Sequence, residues 1–332
     1  MTQPRLVLVA EHLKKFYGPR LAVRDLSFSL QPGRILGFLG PNGAGKTTSI
    51  RMLTTIMEPD GGRFAVDGIG HEHPEQIRRR IGVLPESFGL PKQMTGIEYL
   101  TYFGQLYGRS AGGAREYGQR LLEEVGLAQR GRSLVGTYSH GMRQRIGIAR
   151  ALVNDPSVVF LDEPTLGLDP KGQQELNELV KRIARERNAG VILCSHMLPE
   201  VEAVCDDVVI LSSGEVVAMG PVGDVTGRAE RNVVRVRVPV PAVADAQREL
   251  EALASVGSVV AGTGQPGWLR VEVEELEERR LRGRPVTAGE NEPVSNRILD
   301  TLIRAGIPIL GFEPQSGRLQ DVFLDLTTKA LK

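Results

Sequence analysis

A nine-residue segment near the amino terminus combines glycines, a lysine and two threonines in an order that binds phosphate: Gly40-Pro41-Asn42-Gly43-Ala44-Gly45-Lys46-Thr47-Thr48. Its glycines let backbone N–H groups turn toward a phosphate with no Cβ in the way. The Lys46 ammonium would reach the β- and γ-phosphates of a nucleoside triphosphate, and the Thr47 hydroxyl would bind Mg²⁺. The segment therefore predicts a triphosphate site; a glycine-rich turn with an exposed lysine is the alternative.

A pair of carboxylates follows an apolar segment later in the chain. Residues 158–161 predict a buried strand, and Asp162 and Glu163 come directly after it. Asp162 would hold the Mg²⁺, and Glu163 would be the base, or polarising group, for an attacking water. An acidic strand end without chemistry is the alternative, which the phosphate-binding segment disfavours.

The elements around these residues must bring them to one place. The apolar segment Ile35–Leu39 leads into the phosphate-binding segment, and a helical pattern covers residues 45–57. The strand at 158–161 and a second apolar run at 191–194 flank a helical pattern at 176–187, which is typical of a β-α-β unit in a parallel sheet. Such sheets bind ligands at the carboxyl ends of their strands, so the lysine and the carboxylates would share one edge. The first part of the chain is therefore predicted to be α/β.

A second, smaller domain is predicted after the glycines and proline at 220–223. The patterns there indicate strand, helix, strand, strand, helix, strand and short helix, at 233–238, 242–255, 258–261, 268–274, 294–305, 307–312 and 319–326. This order predicts a small α+β domain of ferredoxin-like topology. We place the two domains at 4–222 and 230–332. Residues 275–292 are charged and rich in proline and glycine, which favours a solvated loop or disordered insertion over a binding segment.

The composition limits the possible partners. The chain has 332 residues, enough for about two domains, and its 41 Lys and Arg balance 40 Asp and Glu, so no overall field attracts nucleic acid. Cys194 and Cys205 lack metal-ligand spacing and are expected to be buried apolar groups. No segment approaches the roughly 18–20 apolar residues of a membrane-spanning helix. A role at a membrane would therefore require a partner protein.

Further motifs follow in an order that resembles one protein family. The chain resembles the ATP-binding cassette (ABC) ATPases in its signature motif, Tyr138-Ser139-His140-Gly141-Met142-Arg143-Gln144-Arg145. It also resembles them in a Walker B motif that runs into a D-loop, Asp162-Glu163-Pro164-Thr165-Leu166-Gly167-Leu168-Asp169. Three residues stand where that family has its adenine-stacking aromatic, its Q-loop residue and its switch histidine: Tyr17, Glu86 and His196. The motifs together cover residues 6–220.

The resemblance implies both the fold and the organisation of the site. The fold is that of a P-loop NTPase of the ABC type, whose mixed sheet carries a helical subdomain at about residues 88–155. Two cassettes pair head to tail, so Ser139 and Gly141 of one subunit close on the ATP of the other. Ser139 would cap the helix that follows it and direct the positive end of that helix at the γ-phosphate. Asp169 joins the nucleotide-binding set, and ATP and Mg²⁺ are the implied cofactors of an ATPase.

Two positions depart from the family pattern. His140 replaces the small residue in the middle of the signature, and we expect its side chain to point away from the phosphate; a proton-transfer role is the alternative. Glu86 replaces the usual glutamine, which keeps an oxygen that can face Mg²⁺ or water but adds a charge. Glutamate also occurs here in some ABC exporter subunits, so we interpret it as a subfamily feature.

The carboxy-terminal region resembles the ATP-binding subunits of ABC-2-type exporters, such as the daunorubicin-resistance, sodium-efflux and nodulation ATPases. The matching stretch runs from Asn296-Arg297-Ile298-Leu299 to Leu319-Gln320-Asp321-Val322-Phe323-Leu324-Asp325-Leu326-Thr327. This resemblance implies a cytoplasmic ATPase that pairs with a second copy and is peripheral on the cytoplasmic face of the cell membrane. It would dock under an integral membrane permease of the ABC-2 type, through the surface between Glu86 and about Tyr107.

Other kinds of ABC ATPase fit less well. A DNA-repair or chromosome-structure ATPase separates the phosphate loop from the signature by a long coiled coil, whereas Lys46 and Ser139 lie 93 positions apart without sustained heptads. A translation factor of this family carries two cassettes, and this chain has one. No nucleic-acid partner is therefore expected. A non-transport regulatory ABC ATPase that acts as a soluble dimer stays open as an alternative.

Overall fold

The computed structural model describes residues 5–230, 233–253, 255–261, 266–273, 294–315 and 319–329. The chain divides into two compact units. The first comprises Met1–Val222 together with Phe323–Lys332, and the second comprises Gly223–Val322. The charged stretch 275–292, expected to be a loop or insertion, lies outside the described residues.

The first unit is built on a mixed ten-stranded sheet. Its strands are β1 (Leu8–Tyr17), β2 (Arg20–Leu30), β3 (Ile35–Leu39), β4 (Gly61–Val66), β5 (Ile69–Gly70), β6 (Ile81–Leu84), β7 (Val158–Asp162), β8 (Gly190–Cys194), β9 (Asp207–Ser212) and β10 (Glu215–Pro221). They lie in the order β5-β4-β1-β2-β10-β9-β3-β8-β7-β6. The strands β1, β2, β4 and β5 pair antiparallel, whereas β3, β6, β7, β8 and β9 form a parallel half.

The two halves of this sheet meet at a seam between β2 and β10. These strands pair through Glu215 and Asp25. Beside that pair, the amide of Arg24 donates to the carbonyl of Gly214 at 2.7 Å, and the amide of Gly214 donates to the carbonyl of Ala44 at 3.1 Å. The turn between β9 and β10 therefore connects the antiparallel half to the loop that follows β3.

The helices of the first unit are α1 (Lys46–Leu53), α2 (Pro74–Arg78), α3 (Gly96–Leu106), α4 (Ala111–Glu124), α5 (His140–Ala151), α6 (Pro170–Arg187) and α7 (Leu198–Val204). A further helix, α8 (Val222–Glu230), begins where the two units divide. Within the described parts of the chain, no helix is long and apolar enough to cross a membrane.

The helix after the phosphate-binding segment is shorter than the pattern at 45–57 predicts. It ends at Leu53, where the Thr54 hydroxyl donates to the carbonyl of Ile50 at 2.7 Å and Thr55 takes a φ of 60°. A left-handed residue with a Cβ cannot continue a right-handed helix. Within the helical subdomain expected at about 88–155, α3 and α4 are separate helices, because Gly108 between them has a φ of 88°.

The parallel strands carry the chemically important residues to one edge of the sheet. Gly40 follows the end of β3, Asp162 is the last residue of β7, and Ser195 follows the end of β8. Glu86 lies two residues after the end of β6. Because these strands are parallel, their carboxyl ends meet at the edge where open α/β sheets bind ligands, as the sequence predicts.

The core of the first unit packs against the parallel strands. Phe38 and Phe160 are among its largest fully buried side chains, and the rings of Phe28 and Phe38 lie 5.6 Å apart. Cys194 and Cys205 are also buried, and burial raises the pKa of both thiols well above the ordinary value. Both cysteines are therefore neutral core groups, as expected.

The second unit contains a four-stranded antiparallel sheet in the order β12-β13-β11-β14. Its elements are β11 (Val233–Arg237), α9 (Val243–Glu251), β12 (Val256–Ala261), β13 (Trp268–Val273), α10 (Val294–Arg304) and β14 (Gly311–Gln315), and the last described helix of the chain is α11 (Leu319–Lys329). This strand order, with a helix after the first and third strands, is the expected ferredoxin-like topology. The core is formed by residues of the sheet and both helices, including Val236, Leu269, Ile298 and Leu302.

The last strand of this unit begins later than the pattern at 307–312 predicts. Gly306, with a φ of 70°, ends the turn after α10, and Ile307 packs into the core. Pro308 has no amide proton to donate to a neighbouring strand. Pairing with β11 begins where the amide of Leu310 donates to the carbonyl of Arg237 at 2.7 Å, so the apolar residues at 307–309 form the connection and not the strand.

Candidate active site

The loop between β3 and α1 folds around its own lysine. Gly43 and Gly45 have φ values of 82° and 105°, a left-handed conformation that glycine adopts without steric cost. The Lys46 ammonium donates to the carbonyls of Gly40 at 2.5 Å and Pro41 at 3.2 Å. The loop therefore holds a positive charge beside the amides that begin α1, an arrangement suited to binding phosphate.

Three carboxylates lie close to this lysine, at the ends of β6 and β7. Burial raises the pKa of Asp162 above its ordinary value, and the neighbouring charges of Glu86 and Glu163 raise that pKa further. Lys46 acts in the opposite direction. The site thus carries more negative than positive side-chain charge, which a divalent cation would offset.

Replacing Asp162 with asparagine should stabilise the protein when no metal or nucleotide is present. Because folding raises the pKa of this carboxyl, its ionised form is less favourable in the folded chain than in the unfolded chain. The destabilisation is complete above the folded-state pKa and is lost as the pH falls through that pKa toward the unfolded value. We therefore expect Asp162→Asn to raise the melting temperature in EDTA at mildly alkaline pH, and we expect the difference from wild type to shrink in acid.

Thermal unfolding measured across this pH range tests the expectation. Asp224→Asn, a change at an exposed position in the first turn of α8, is the matched control and should leave the melting temperature nearly constant. An Asp162→Asn protein that melts below the wild type at every pH would contradict the argument.

The end of β8 supplies a histidine that contacts Glu163. The Nδ1 atom of His196 lies 2.8 Å from Oε2 of Glu163. The Glu163 side chain is 15% exposed and the His196 side chain is 61% exposed, so a largely exposed ring contacts a mostly buried carboxylate. Glu163 itself has a φ of 49°, a strained conformation of the kind that clusters at functional sites.

Most of the residues predicted for the site line one cleft of about 520 Å³. They are Tyr17, Asn42, Gly43, Gly45, Lys46, Thr47, Thr48, Glu86, Asp162, Glu163 and His196. Gly40, Pro41 and Ala44 belong to the same loop but contribute its backbone or its buried side, not the wall of the cleft. The cleft also contains three residues that the sequence did not indicate: Arg20, Ala22 and Leu166.

Arg20 adds a second cation to the cleft. It stands opposite Tyr17 at the turn between β1 and β2. Its Nη2 atom would lie 3.7 Å from a Cβ built on Gly43, so the guanidinium approaches the phosphate-binding loop. The signal in the sequence was a basic residue three positions after Tyr17, the spacing that places two residues opposite each other across a tight hairpin.

The signature residues Ser139 and Gly141 and the D-loop residue Asp169 do not line the cleft. Ser139 is the N-cap of α5, as expected, and its hydroxyl accepts a hydrogen bond from the amide of Met142 at 3.3 Å. Asp169 is the N-cap of α6, and its carboxylate accepts from the amide of Gly172 at 3.2 Å. Gly141 lies in the first turn of α5. Ser139 and Asp169 are exposed, so these groups are accessible to a second molecule.

His140 makes a contact within its own subunit. Its Nε2 atom lies 2.7 Å from the carbonyl oxygen of Leu166. Because a carbonyl can only accept, the ring N–H is the donor. This bond joins the start of α5 to the segment that follows Glu163, a connection that the sequence did not predict.

The oxygen donors of the cleft fit Mg²⁺ that is bound together with a nucleotide. In the described residues, no group of three or more His, Cys, Asp or Glu side chains is arranged to hold a metal ion. Mg²⁺ in nucleotide sites needs only one or two protein oxygens, with phosphates and water completing the shell. Thr47 and Asp162 line the cleft and can supply those oxygens. The pKa of Asp162 is raised first by burial and then by the charges of Glu86 and Glu163, and a bound cation would offset these charges.

A glycine loop that leads from a buried strand into a helix, next to a strand that ends in Asp-Glu, defines the P-loop nucleoside triphosphatases. The family model described as "ABC transporter" matches residues 23–166. The linearmycin resistance ATP-binding protein of Bacillus subtilis (strain 168) is 33% identical over 329 residues, which cover 98% of this chain and 100% of that protein. The chain therefore belongs to the ABC transporter family, as an ATP-binding protein with an ABC ATPase domain.

Other relatives and solved structures agree with this assignment. The daunorubicin/doxorubicin resistance ATP-binding protein of Streptomyces peucetius is 33% identical over 330 residues, covering 98% of this chain and 94% of that protein. A solved ATP-binding subunit of an ABC transporter is 33% identical, with a TM-score of 0.59 over 67% of this chain and 92% of the other. A dimeric cassette in a post-hydrolysis state with ADP and phosphate shares the fold at 24% identity, with a TM-score of 0.59 over 65% of this chain and 98% of the other. The ABC ATPase fold expected from the motifs is confirmed.

Proposed function

We propose that this chain is the ATP-hydrolysing subunit of an exporter and that it powers transport through a separate membrane permease of the ABC-2 type. The observation that carries the proposal is the cleft in which the phosphate-binding loop meets Asp162, Glu163 and His196. The similarity over nearly the full length to two resistance ATP-binding proteins supports the choice of an exporter.

The residues of the cleft divide the chemistry among them. Lys46 and the loop amides bind the β- and γ-phosphates, and Thr47 and Asp162 hold Mg²⁺, which supplies charge to stabilise the transferred phosphoryl group. Glu163 takes the proton of the attacking water. His196 holds the Glu163 carboxylate through its contact of 2.8 Å and approaches the γ-phosphate.

The other end of the nucleotide binds near the β1–β2 turn. The Tyr17 side chain is 43% exposed, which leaves a ring face on which adenine can stack. Arg20 pairs with Tyr17 across the turn and approaches Gly43 of the loop, so its charge adds to the attraction for phosphates. Glu86, on the segment after β6, links the occupancy of the site to the surface beyond it.

A second copy of the chain completes the site. Ser139 and Gly141 do not line their own cleft and lie at the positive end of α5, which supports a role for them in contacting a γ-phosphate held by a partner subunit. ATP held between two subunits favours closure because its contacts with the signature exist only in the closed pair. The dimeric form of a cassette with the same fold supports pairing of two subunits.

A groove beside the Glu86 segment is the proposed surface for the permease. It has a volume of about 250 Å³ and is lined by Thr54, Ile56, Arg78, Ile81, Gly82, Val83, Phe103, Tyr107, Arg150, Ala151 and Asn154. Ile56 is 72% exposed and Tyr107 is 46% exposed, so the groove presents apolar side chains that a docked permease would cover. Two of its lining residues, Phe103 and Tyr107, belong to the surface between Glu86 and about Tyr107 where the family resemblance places permease docking. A chain docked there would reside at the cytoplasmic face of the membrane.

Replacing Ile56 with glutamate should separate the subunit from its permease without affecting the nucleotide site. A carboxylate buried in an apolar interface without a partner costs several kcal/mol. We expect a membrane permease to co-purify with the wild type from its native cells and to be lost from Ile56→Glu, while ATP hydrolysis by the isolated subunit stays unchanged. Val240→Glu, a change at a side chain that is 60% exposed in the second unit, is the matched control.

The same experiment separates the exporter from the regulatory alternative. An exporter subunit recovers with a membrane protein and supports ATP-dependent efflux. A wild-type chain that is recovered from cells as a permease-free dimer with its full biological activity would refute the exporter and favour the non-transport ATPase.

A further inference from the structure

A buried carboxylate on α7 joins the two loops that carry Glu163 and His196. The Oε2 atom of Glu200 accepts a hydrogen bond from the hydroxyl of Thr165 and another from the hydroxyl of Ser195, each at 2.8 Å. Thr165 follows Glu163 by two positions, and Ser195 directly precedes His196. Since Nδ1 of His196 lies 2.8 Å from Oε2 of Glu163, these contacts close a cycle that includes both side chains of the catalytic pair.

The buried carboxyl group of Glu200 has few polar partners. Glu200 is 7% exposed, and Thr165 and Ser195 are each 1% exposed. The second oxygen, Oε1, is buried without a hydrogen-bond partner in the described part of the chain. Buried charges are normally paired with an opposite charge or fully hydrogen-bonded, and an apolar residue at such a place is often at least as stable. A role beyond stability therefore explains a glutamate here better.

We propose that Glu200 is a positioning residue for ATP hydrolysis: it ties the segment after Glu163 to the loop before His196 and thereby sets the geometry of that pair. The inference rests on the roles proposed above for Glu163 and His196. Without the tie, the two loops are connected through the pair itself and through the amide of Glu163, which donates to the carbonyl of Cys194 at 2.9 Å. The His196 side chain is largely exposed, so it would lose its preferred position over the carboxylate.

The expected consequence is a loss in rate without a loss in nucleotide binding. Glu200 is not among the residues that line the cleft, so it does not contact the nucleotide. Displacement of a catalytic group by about 1 Å can cost about 100-fold in rate. We expect Glu200→Ala to lower kcat for ATP by about 10- to 100-fold with little change in KM or in the affinity for ATP.

Two conservative variants keep the test decisive if the alanine protein does not fold. Glu200→Gln retains an oxygen that can accept both hydroxyl bonds, and it should retain most of the wild-type kcat. Thr165→Val removes one of the two donors with almost no change in shape, and it should lower kcat by about 3- to 10-fold, less than the loss of both bonds. Glu202→Ala, a change at an exposed residue of the same helix, is the matched control and should behave as the wild type.

Steady-state hydrolysis and ATP affinity of the full chain decide the proposal. A wild-type kcat in Glu200→Ala or Thr165→Val would overturn it, as would equal losses of kcat and ATP affinity, or a glutamine variant no better than alanine. Glu163→Gln is measured beside them: if it hydrolyses ATP normally, the role of Glu163 fails and the proposal falls with it. If Glu163→Gln is inactive while Glu200→Ala is fully active, only the positioning role fails.

Discussion

Replacement of Glu163 by glutamine is expected to lower ATP hydrolysis by about 10²- to 10⁴-fold, the usual contribution of a positioned general base, while ATP still binds. Glutamine has nearly the size of glutamate but cannot accept a proton at neutral pH. Its amide oxygen can replace Oε2 in the contact with His196. The strained backbone at residue 163 and the hydrogen bonds through Glu200 should therefore be preserved.

A consequence for assembly follows from the same substitution. If ATP stabilises the dimer and hydrolysis lets it dissociate, an enzyme that binds ATP without cleaving it should accumulate as a closed dimer. Gel filtration of Glu163→Gln with Mg²⁺ and ATP should therefore show a dimer, and omission of ATP should return the monomer. A protein that elutes only as a monomer in saturating ATP would count against the shared site.

Glu202→Gln is the control for this experiment, because it makes the same chemical change at an exposed residue of α7. It should match the wild type in both hydrolysis and elution. Normal turnover by Glu163→Gln would show that another group takes the proton of the attacking water.

Replacement of Lys46 by alanine should act one step earlier and remove ATP binding. A hydrogen bond to a charged group contributes about 1.5–3 kcal/mol, so we expect the dissociation constant for ATP to rise by about 10- to 100-fold or more. The variant also leaves the carbonyls of Gly40 and Pro41 without the ammonium that bridges them, which weakens the loop itself.

Titration with a fluorescent ATP analogue measures this loss. Lys171→Ala is the matched control, because the Lys171 side chain is 83% exposed at the start of α6, away from the cleft. ATP affinity equal to that of the wild type in Lys46→Ala would refute the role assigned to the lysine. The two substitutions thus separate binding, which fails in Lys46→Ala, from cleavage, which fails in Glu163→Gln.

The central part of the fold and the cleft could be predicted because their signals are local in sequence. A segment of fewer than ten residues is enough to recognise the loop from Gly40 to Thr48, and the same holds for the strand that ends at Asp162. The parallel arrangement of β3, β7 and β8 then follows from their continuous apolar runs, which require cover on both faces.

The features that the sequence did not indicate depend on contacts between distant residues. Glu200 reaches Thr165 across 35 positions, and His140 reaches Leu166 across 26, so neither bond has a local pattern. The strand expected at 307–312 is a different kind of error, because its apolar residues are in the core but Pro308 prevents them from joining the ladder. The apolar pattern correctly predicted that these residues are in the core, but it does not determine which backbone groups pair with the neighbouring strand.

The seam in the large sheet separates the two ends of the proposed nucleotide site. Tyr17 belongs to the antiparallel half, whereas Lys46 follows the parallel half, and between β2 and β10 the two halves pair at Glu215 and Asp25. A nucleotide whose base stacks on Tyr17 and whose phosphates bind Lys46 would contact both halves of the sheet, one on each side of that seam. The bound nucleotide would then connect the two halves of the sheet. Cleavage of the γ-phosphate would remove one of the two phosphates through which Lys46 holds that connection.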